Sequence, residues 1–213
     1  MSECIRVVKD PEERRTKLLE ASEELFLQKG FGKTMVSDIA GKVGAAQGTF
    51  YYYFKSKDEV LAAILERIWN RFAAKILKII NTGKMNALQK LQTVLGLLFQ
   101  PKTEDRMDMD GFKLLADPDI VRRFHVQSDE ARIKAICPII QEIVKEGIEQ
   151  GHFSSLKCLD EITEIVFFGI NTYMHKYSPN FSDKAFFNKK MEALEELLEK
   201  ALGIKEGSMK LTI

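Results

Sequence analysis

The sequence predicts an all-α protein, and three observations carry that prediction. No stretch shows sustained period-two alternation, and no Asn-Gly or Asp-Gly turn is set between β-branched runs. Apolar residues recur at helical spacing, as Leu18, Ala21, Leu25 and Phe26 do at i, i+3, i+7 and i+8. Helix starts and stops are punctuated by recognisable capping residues. Together they predict an N-terminal three-helix bundle containing a helix-turn-helix. A long helix joins that bundle to a C-terminal helical domain, with the boundary between domains 1–56 and 57–213.

Asp10-Pro11-Glu12-Glu13 opens the first helix. Asp10 is the cap, Pro11 suits the first turn, and Glu13 completes a capping-box pattern. Gly30 ends this helix and Phe31 folds back onto it. Thr34 is the expected cap of the second helix, whose Ile39, Ala40 and Val43 point inward. Gly44 supplies the turn, and a third helix covers Gln47 to Tyr53. Ser56-Lys57-Asp58-Glu59 is a second capping box, which opens a long helix running from Lys57 towards Ile80.

Past Thr82-Gly83, helices are expected at about 87–100, 109–116, 119–150, 160–177 and 183–202. Pro101, Asp117-Pro118, Gly151 and Ser178-Pro179 separate them. Pro138 is expected to kink the third of these or to mark where a shorter piece ends. Residues 205–213 read as a frayed tail.

Composition excludes several classes. With 45% hydrophobic and 30% charged residues, the chain can bury a substantial core and reads as an ordinary soluble protein. The net charge of +1 is not that of a polycation. Charge is nevertheless uneven: from Lys29 to Lys57 five lysines face the single Asp38, a local +4 that suits contact with phosphates. Cys4, Cys137 and Cys158 have no metal-ligand spacing and read as free thiols in a reducing compartment. The N-terminus lacks the apolar core of a signal peptide, and the longest apolar runs are too short to span a bilayer. A cytoplasmic protein is expected.

The segment from Thr34 to Lys57 carries the functional expectation. On a helix at 100° per residue, Phe50 and Phe54 share one face and are the inward anchors. Gly48, Thr49 and Tyr52 fall roughly opposite, flanked by Tyr51 and Tyr53. A short helix cannot bury three adjacent tyrosines, and a face of phenols, a glycine and a hydroxyl suits a nucleic-acid groove. Gly48 allows close backbone approach, and Gln47 and Thr49 offer hydrogen bonds to base edges or phosphates. Lys57 stands in the first turn of a helix, where the dipole disfavours a cation; a phosphate bound there would resolve the conflict.

These residues resemble the N-terminal DNA-binding domain of the TetR family of bacterial transcriptional regulators. The matching stretches are Ala-Ser-Glu-Glu-Leu-Phe at 21–26, Lys-Gly-Phe at 29–31, Thr34, Val-Ser-Asp-Ile-Ala at 36–40 and Val-Gly at 43–44. Gly-Thr-Phe-Tyr-Tyr-Tyr-Phe-Lys-Ser-Lys-Asp-Glu-Val-Leu at 48–61 completes the pattern. The resemblance implies that Gln47, Gly48, Thr49, Tyr51, Tyr52 and Tyr53 meet DNA and that Lys57 contacts phosphate. It places Thr34, Val36 and Ser37 near the DNA backbone at the start of the supporting helix. Ala46 and Gln47 stand where the family usually has a Ser or Thr cap and often a lysine. The missing cap costs on the order of 1 kcal/mol, and Gln47 becomes a candidate reader of adenine.

The resemblance also implies a C-terminal domain for ligand binding and dimerisation. Two half-sites need a homodimer, with the last two helices pairing with their copies; Gly169, Tyr173, Leu194, Leu197 and Leu198 are the candidate contacts. Trp69, Phe72, Phe99, Phe112, Phe124, Phe167, Phe168 and Met174 form an aromatic and methionine surplus, with Asn171 and His175 as polar members. As a set they imply an effector cavity for a small, largely apolar or aromatic molecule, against the plainer reading of ordinary core. The acidic stretch at 104–110 reads as a solvated loop.

The expected function is therefore a repressor released from a palindromic operator by a small-molecule effector, with no cofactor, no metal and no catalytic residue. A helical protein-interaction module using the tyrosine face is the alternative. An enzyme is the more remote one: His125 and Asp129 are spaced i,i+4 but lack a third ligand, and no phosphate loop or nucleophile elbow is present.

Overall fold

The computed structural model describes residues 10–99, 118–177 and 184–211. Among them are eight helices and no strand: α1 Pro11–Lys29, α2 Val36–Lys42, α3 Gln47–Tyr53, α4 Lys57–Thr82, α5 Ala87–Phe99, α6 Pro118–Glu149, α7 Leu159–Tyr177 and α8 Lys184–Leu202. The helix expected at 109–116 and the acidic stretch at 104–110 lie outside the described residues. The chain divides into two compact units, crossing from one to the other inside α4, at Arg67/Ile68, and inside α6, at Ser128/Asp129.

In the first unit, α1 starts as its cap predicts. The Glu12 N–H donates to the Asp10 carboxylate at 3.1 Å, and Pro11 occupies the first turn. Gly30 ends the helix at φ 83°, a conformation that favours glycine, and the Phe31 ring packs 5.0 Å from that of Phe26. Leu18, Leu25 and Phe26 from α1, Ile39 and Ala40 from α2, and Phe50 from α3 are buried together with Phe54. Val60, Leu61, Ile64 and Leu65 from α4 are buried too. The start of α4, through Arg67, thus packs with the first unit, and Arg67 pairs with Glu23 of α1. Gly44 makes the α2–α3 turn at φ 64°.

Thr34 does not cap α2. Met35 is the N-cap residue, and its N–H donates to Asp38 at 3.2 Å. The α4 start keeps its capping box in modified form: the Glu59 N–H donates to Ser56 Oγ at 3.2 Å, while the Glu59 carboxylate accepts from the Lys55 N–H at 2.6 Å.

In the second unit α6 continues unbroken through Pro138, so the proline marks no helix end. The expected frayed tail is instead docked. Met209 and Leu211 are buried, their N–H groups donating to Glu199 at 2.8 Å and Glu195 at 2.7 Å, and Gln92 donates to the Ser208 carbonyl at 3.0 Å. The Met209 and Gly207 amides hold the Glu199 carboxyl below its ordinary pKa.

Candidate nucleic-acid interface

The α3 helix presents two chemically different sides. Phe50 and Phe54 are fully buried, with ring centres 5.8 Å apart, and Arg15 of α1 covers the Phe54 ring at 5.0 Å. Tyr52 is 79% exposed and Tyr51 56%; Gln47 and Gly48 are exposed, while Thr49 and Tyr53 are half-buried. Tyr53 meets the Tyr52 ring edge-on at 4.9 Å, and Tyr51 meets Phe50 edge-on at 5.5 Å. Each outer ring is thus braced by an inner neighbour, which lowers the entropy lost when the face is covered. A Cβ on Gly48 would meet nothing within 4 Å, so internal packing gives no reason for a glycine there. The start of α3 at Ala46 has no side-chain cap, as its sequence implies.

Other expected contacts are placed differently. Thr34 is 1% exposed; its hydroxyl donates to the Gly30 carbonyl at 2.8 Å, with the Leu25 carbonyl 3.3 Å away, so it seals the end of α1. Val36 is half-buried and Ser37 exposed. Lys57 is half-buried. Its Nζ donates to the carbonyls of Phe31 at 2.8 Å and Thr34 at 2.7 Å and sits 4.6 Å from the Phe31 ring centre.

The local +4 is also partly neutralised. Lys29 pairs with Asp38 at 3.4 Å, and Lys42 with Glu24 at 2.7 Å. Glu24 lies outside the 29–57 window, so a window count overstates the basic face. The hydrogen bond from Lys42 lowers the Glu24 pKa, and the Met35 N–H, followed by Lys29, lowers that of Asp38. Lys33 and Lys55 are exposed, as is Met35.

In the second unit, Trp69 and Phe72 are buried and meet edge-on at 5.6 Å. Asn171 is buried, and its Nδ2 donates to Asp129 at 3.1 Å. Asp129 also pairs with Arg132, whose guanidinium lies 5.2 Å from the Trp69 ring centre. Arg132 was missed, although its i,i+3 spacing from Asp129 was a visible signal. Asp129 is thus an ion-pair partner, and the side chain of His125 lies outside the described residues.

Phe167 is buried, whereas Phe168 is 53% exposed and turns away from any interior. Phe112 lies outside the described residues, as do the side chains of Phe99, Phe124, Met174 and His175. Leu91, Ile140, Val144, Thr163, Phe167, Leu198 and their neighbours line a partly open apolar space of about 30 Å³. That is room for one water, against the roughly 300–1,000 Å³ of a ligand pocket. Burial pushes the Cys137 thiol up to about 11, which leaves almost no thiolate at neutral pH.

The Thr163 hydroxyl borders this space, buried and without a hydrogen-bond partner. Thr163→Val keeps the branched shape and removes the orphaned group. It is expected to stabilise the protein by about 1 kcal/mol, read as a higher denaturant midpoint at unchanged m-value.

An outward stripe runs along α7 through Ile165 (70% exposed), Phe168, Gly169 and Tyr173, at i, i+3, i+4 and i+8. Leu197 of α8 is half exposed, and Lys190 of α8 caps the Tyr173 ring at 5.1 Å. A Cβ on Gly169 would meet nothing. Leu194 and Leu198, expected at the dimer contact, are buried within their own unit, and Leu197 lies on the exposed flank of the same apolar stripe, roughly 100° round α8 from its centre.

The family model described as bacterial regulatory proteins, tetR family, matches residues 18–64. An HTH-type transcriptional regulator of Bacillus subtilis, YvdT, is 38% identical over 82 residues, which cover 38% of this chain and 40% of that protein. The HTH-type transcriptional repressor KstR2 of Mycobacterium tuberculosis is 27% identical over 153 residues, covering 70% of this chain and 73% of that one. Among solved structures, RolR in complex with the ligand resorcinol aligns with a TM-score of 0.64 at 18% identity, over 92% of this chain and 90% of its own. The structural likeness extends the shared helical fold well beyond the matched N-terminal domain.

Proposed function

This chain belongs to the TetR family of bacterial regulatory proteins, and from that premise we propose that it is a homodimeric repressor released from a palindromic operator by a small, largely apolar or aromatic effector. The observation that carries the reading is the exposed Tyr51–Tyr52 face of α3, mounted on the fully buried Phe50 and Phe54. Gln47, Gly48, Thr49 and Tyr53 complete that face, with Val36 and Ser37 beside it. Lys33 and Lys55 supply the exposed positive charge. The repressor name of KstR2 supports repression, and the resorcinol complex of RolR supports a small ligand.

In this reading the α7 stripe and Leu197 join two copies, so that two α3 faces meet half-sites about 34 Å apart. The effector favours a dimer state in which that spacing is lost; only a difference in its affinity for the two states shifts the equilibrium. Trp69, Phe72 and Asn171 are the best-placed effector contacts among the described residues, because they bring two aromatic rings and a polar cluster into one buried region. No catalytic step or cofactor is assigned to the chain.

Selection from random duplexes tests the reading, followed by affinity measurements across a salt series. A palindromic consensus is expected, with log K falling linearly against log salt at about 0.9 per phosphate contact. Failure to enrich any duplex would instead favour a protein partner for the tyrosine face.

A further inference from the structure

Lys57 occupies the place where a phosphate-binding lysine is expected, yet its surroundings are those of an internal tie. The Nζ–carbonyl distances of 2.8 Å to Phe31 and 2.7 Å to Thr34 are those of full charge-assisted hydrogen bonds. The Phe31 ring supplies a cation–π contact at 4.6 Å. Burial lowers the Lys57 pKa, opposed in part by Asp58, so the charge sits at a desolvation cost that a solvated lysine avoids.

The accepting carbonyls flank the turn between α1 and α2, and only three residues separate the end of α3 from Lys57 at the start of α4. That turn is already anchored to α1 by the Thr34 hydroxyl and by the Phe26–Phe31 ring contact. One side chain therefore joins the fixed part of the domain to the junction from which α3 is suspended. The helix it orients is short and uncapped at Ala46, so its own hydrogen bonds hold it weakly.

We infer that Lys57 is a positioning residue for DNA reading, which sets the pose of α3 through the α1–α2 turn and does not contact phosphate. The inference rests on the DNA-binding reading above. Loss of the tie leaves two carbonyls to find water and broadens the range of α3 poses. Apparent affinity then falls with the fraction of molecules in the reading pose.

Lys57→Met keeps the stem and removes the ammonium. On a duplex selected with the unaltered protein, operator affinity is expected to fall roughly ten-fold, at a temperature where both proteins are fully helical. The slope of log K against log salt is expected to stay as in the unaltered protein. A phosphate contact predicts a slope smaller by about 0.9 per subunit, near 1.8 for the dimer, and that result would overturn the inference. Unchanged affinity would overturn it equally, by leaving Lys57 a purely stabilising role.

If the methionine variant does not fold, Lys57→Arg replaces it. The wider guanidinium fits the two-carbonyl seat poorly, so weaker binding at an unchanged slope is expected, whereas binding as tight as the original refutes the tie. Hydrogen exchange of the α2 and α3 amides in the free protein gives a readout independent of DNA. Faster exchange is expected in either variant, and unchanged exchange refutes the inference even if no duplex binds. Failure of the unaltered protein to bind any duplex would count against the DNA reading alone.

Discussion

Replacing Tyr52 by alanine is expected to abolish specific operator binding while leaving fold and dimer intact. At 79% exposure the ring contributes little to the core, and its described ring neighbour is Tyr53 on the same helix. Phe50 and Phe54, which hold α3 to the bundle, are untouched by the change. A lost base or backbone contact costs roughly 1–3 kcal/mol at each half-site, and a homodimer carries the change twice. Operator affinity is thus expected to drop by about 100-fold or more, towards the non-specific level. Gel shift on the selected duplex measures the loss; a sizing column and the far-ultraviolet dichroism establish that the dimer and its helices persist. Undiminished operator binding would move the reading face away from the centre of α3.

The facing of α3 was legible because a buried and an exposed aromatic differ by position on the helix, and 100° per residue separates them without tertiary information. Helix ends marked by Asp10, Gly30, Gly44 and Ser56 were legible for a similar reason: each is set by a local hydrogen bond or a local φ. Thr34 and Lys57 were not. Both have the residue type that an exposed cap or phosphate ligand would have, and both are captured by carbonyls of the α1–α2 region, Lys57 across 26 positions of sequence. Lys42 is likewise paired with Glu24 on another helix, which a local charge count cannot register. The tail shows the same limit. Residues 205–211 carry no helical pattern, yet carboxylates of Glu195 and Glu199 capture their amides and bury Met209 and Leu211.

In the proposed homodimer, Phe168→Glu is expected to leave a monomer and, through that, to remove operator binding. The ring is 53% exposed and lies in one stripe with Ile165, Gly169 and Tyr173, so the substitution leaves the interior of the second unit undisturbed. Gly169 beside it lets a second helix approach, since no atom fills the space its Cβ would take. Placed at a two-fold contact, each glutamate meets the same stripe on the other copy, and two unpaired carboxylates are desolvated together. That cost, several kcal/mol per buried charge, outweighs what one apolar stripe contributes. A monomer reads a single half-site and forfeits the gain from linking two, a factor of about 10²–10⁴. Light scattering is expected to give the monomer mass, and the gel shift is expected to lose the operator complex while circular dichroism still reports a helical fold. Leu194→Glu separates the two sides of α8, because Leu194 is buried within its own unit. It is expected to unfold the second unit rather than to dissociate it, and a folded monomer from Leu194→Glu with an intact dimer from Phe168→Glu would place the contact at Leu194 instead of the α7 stripe.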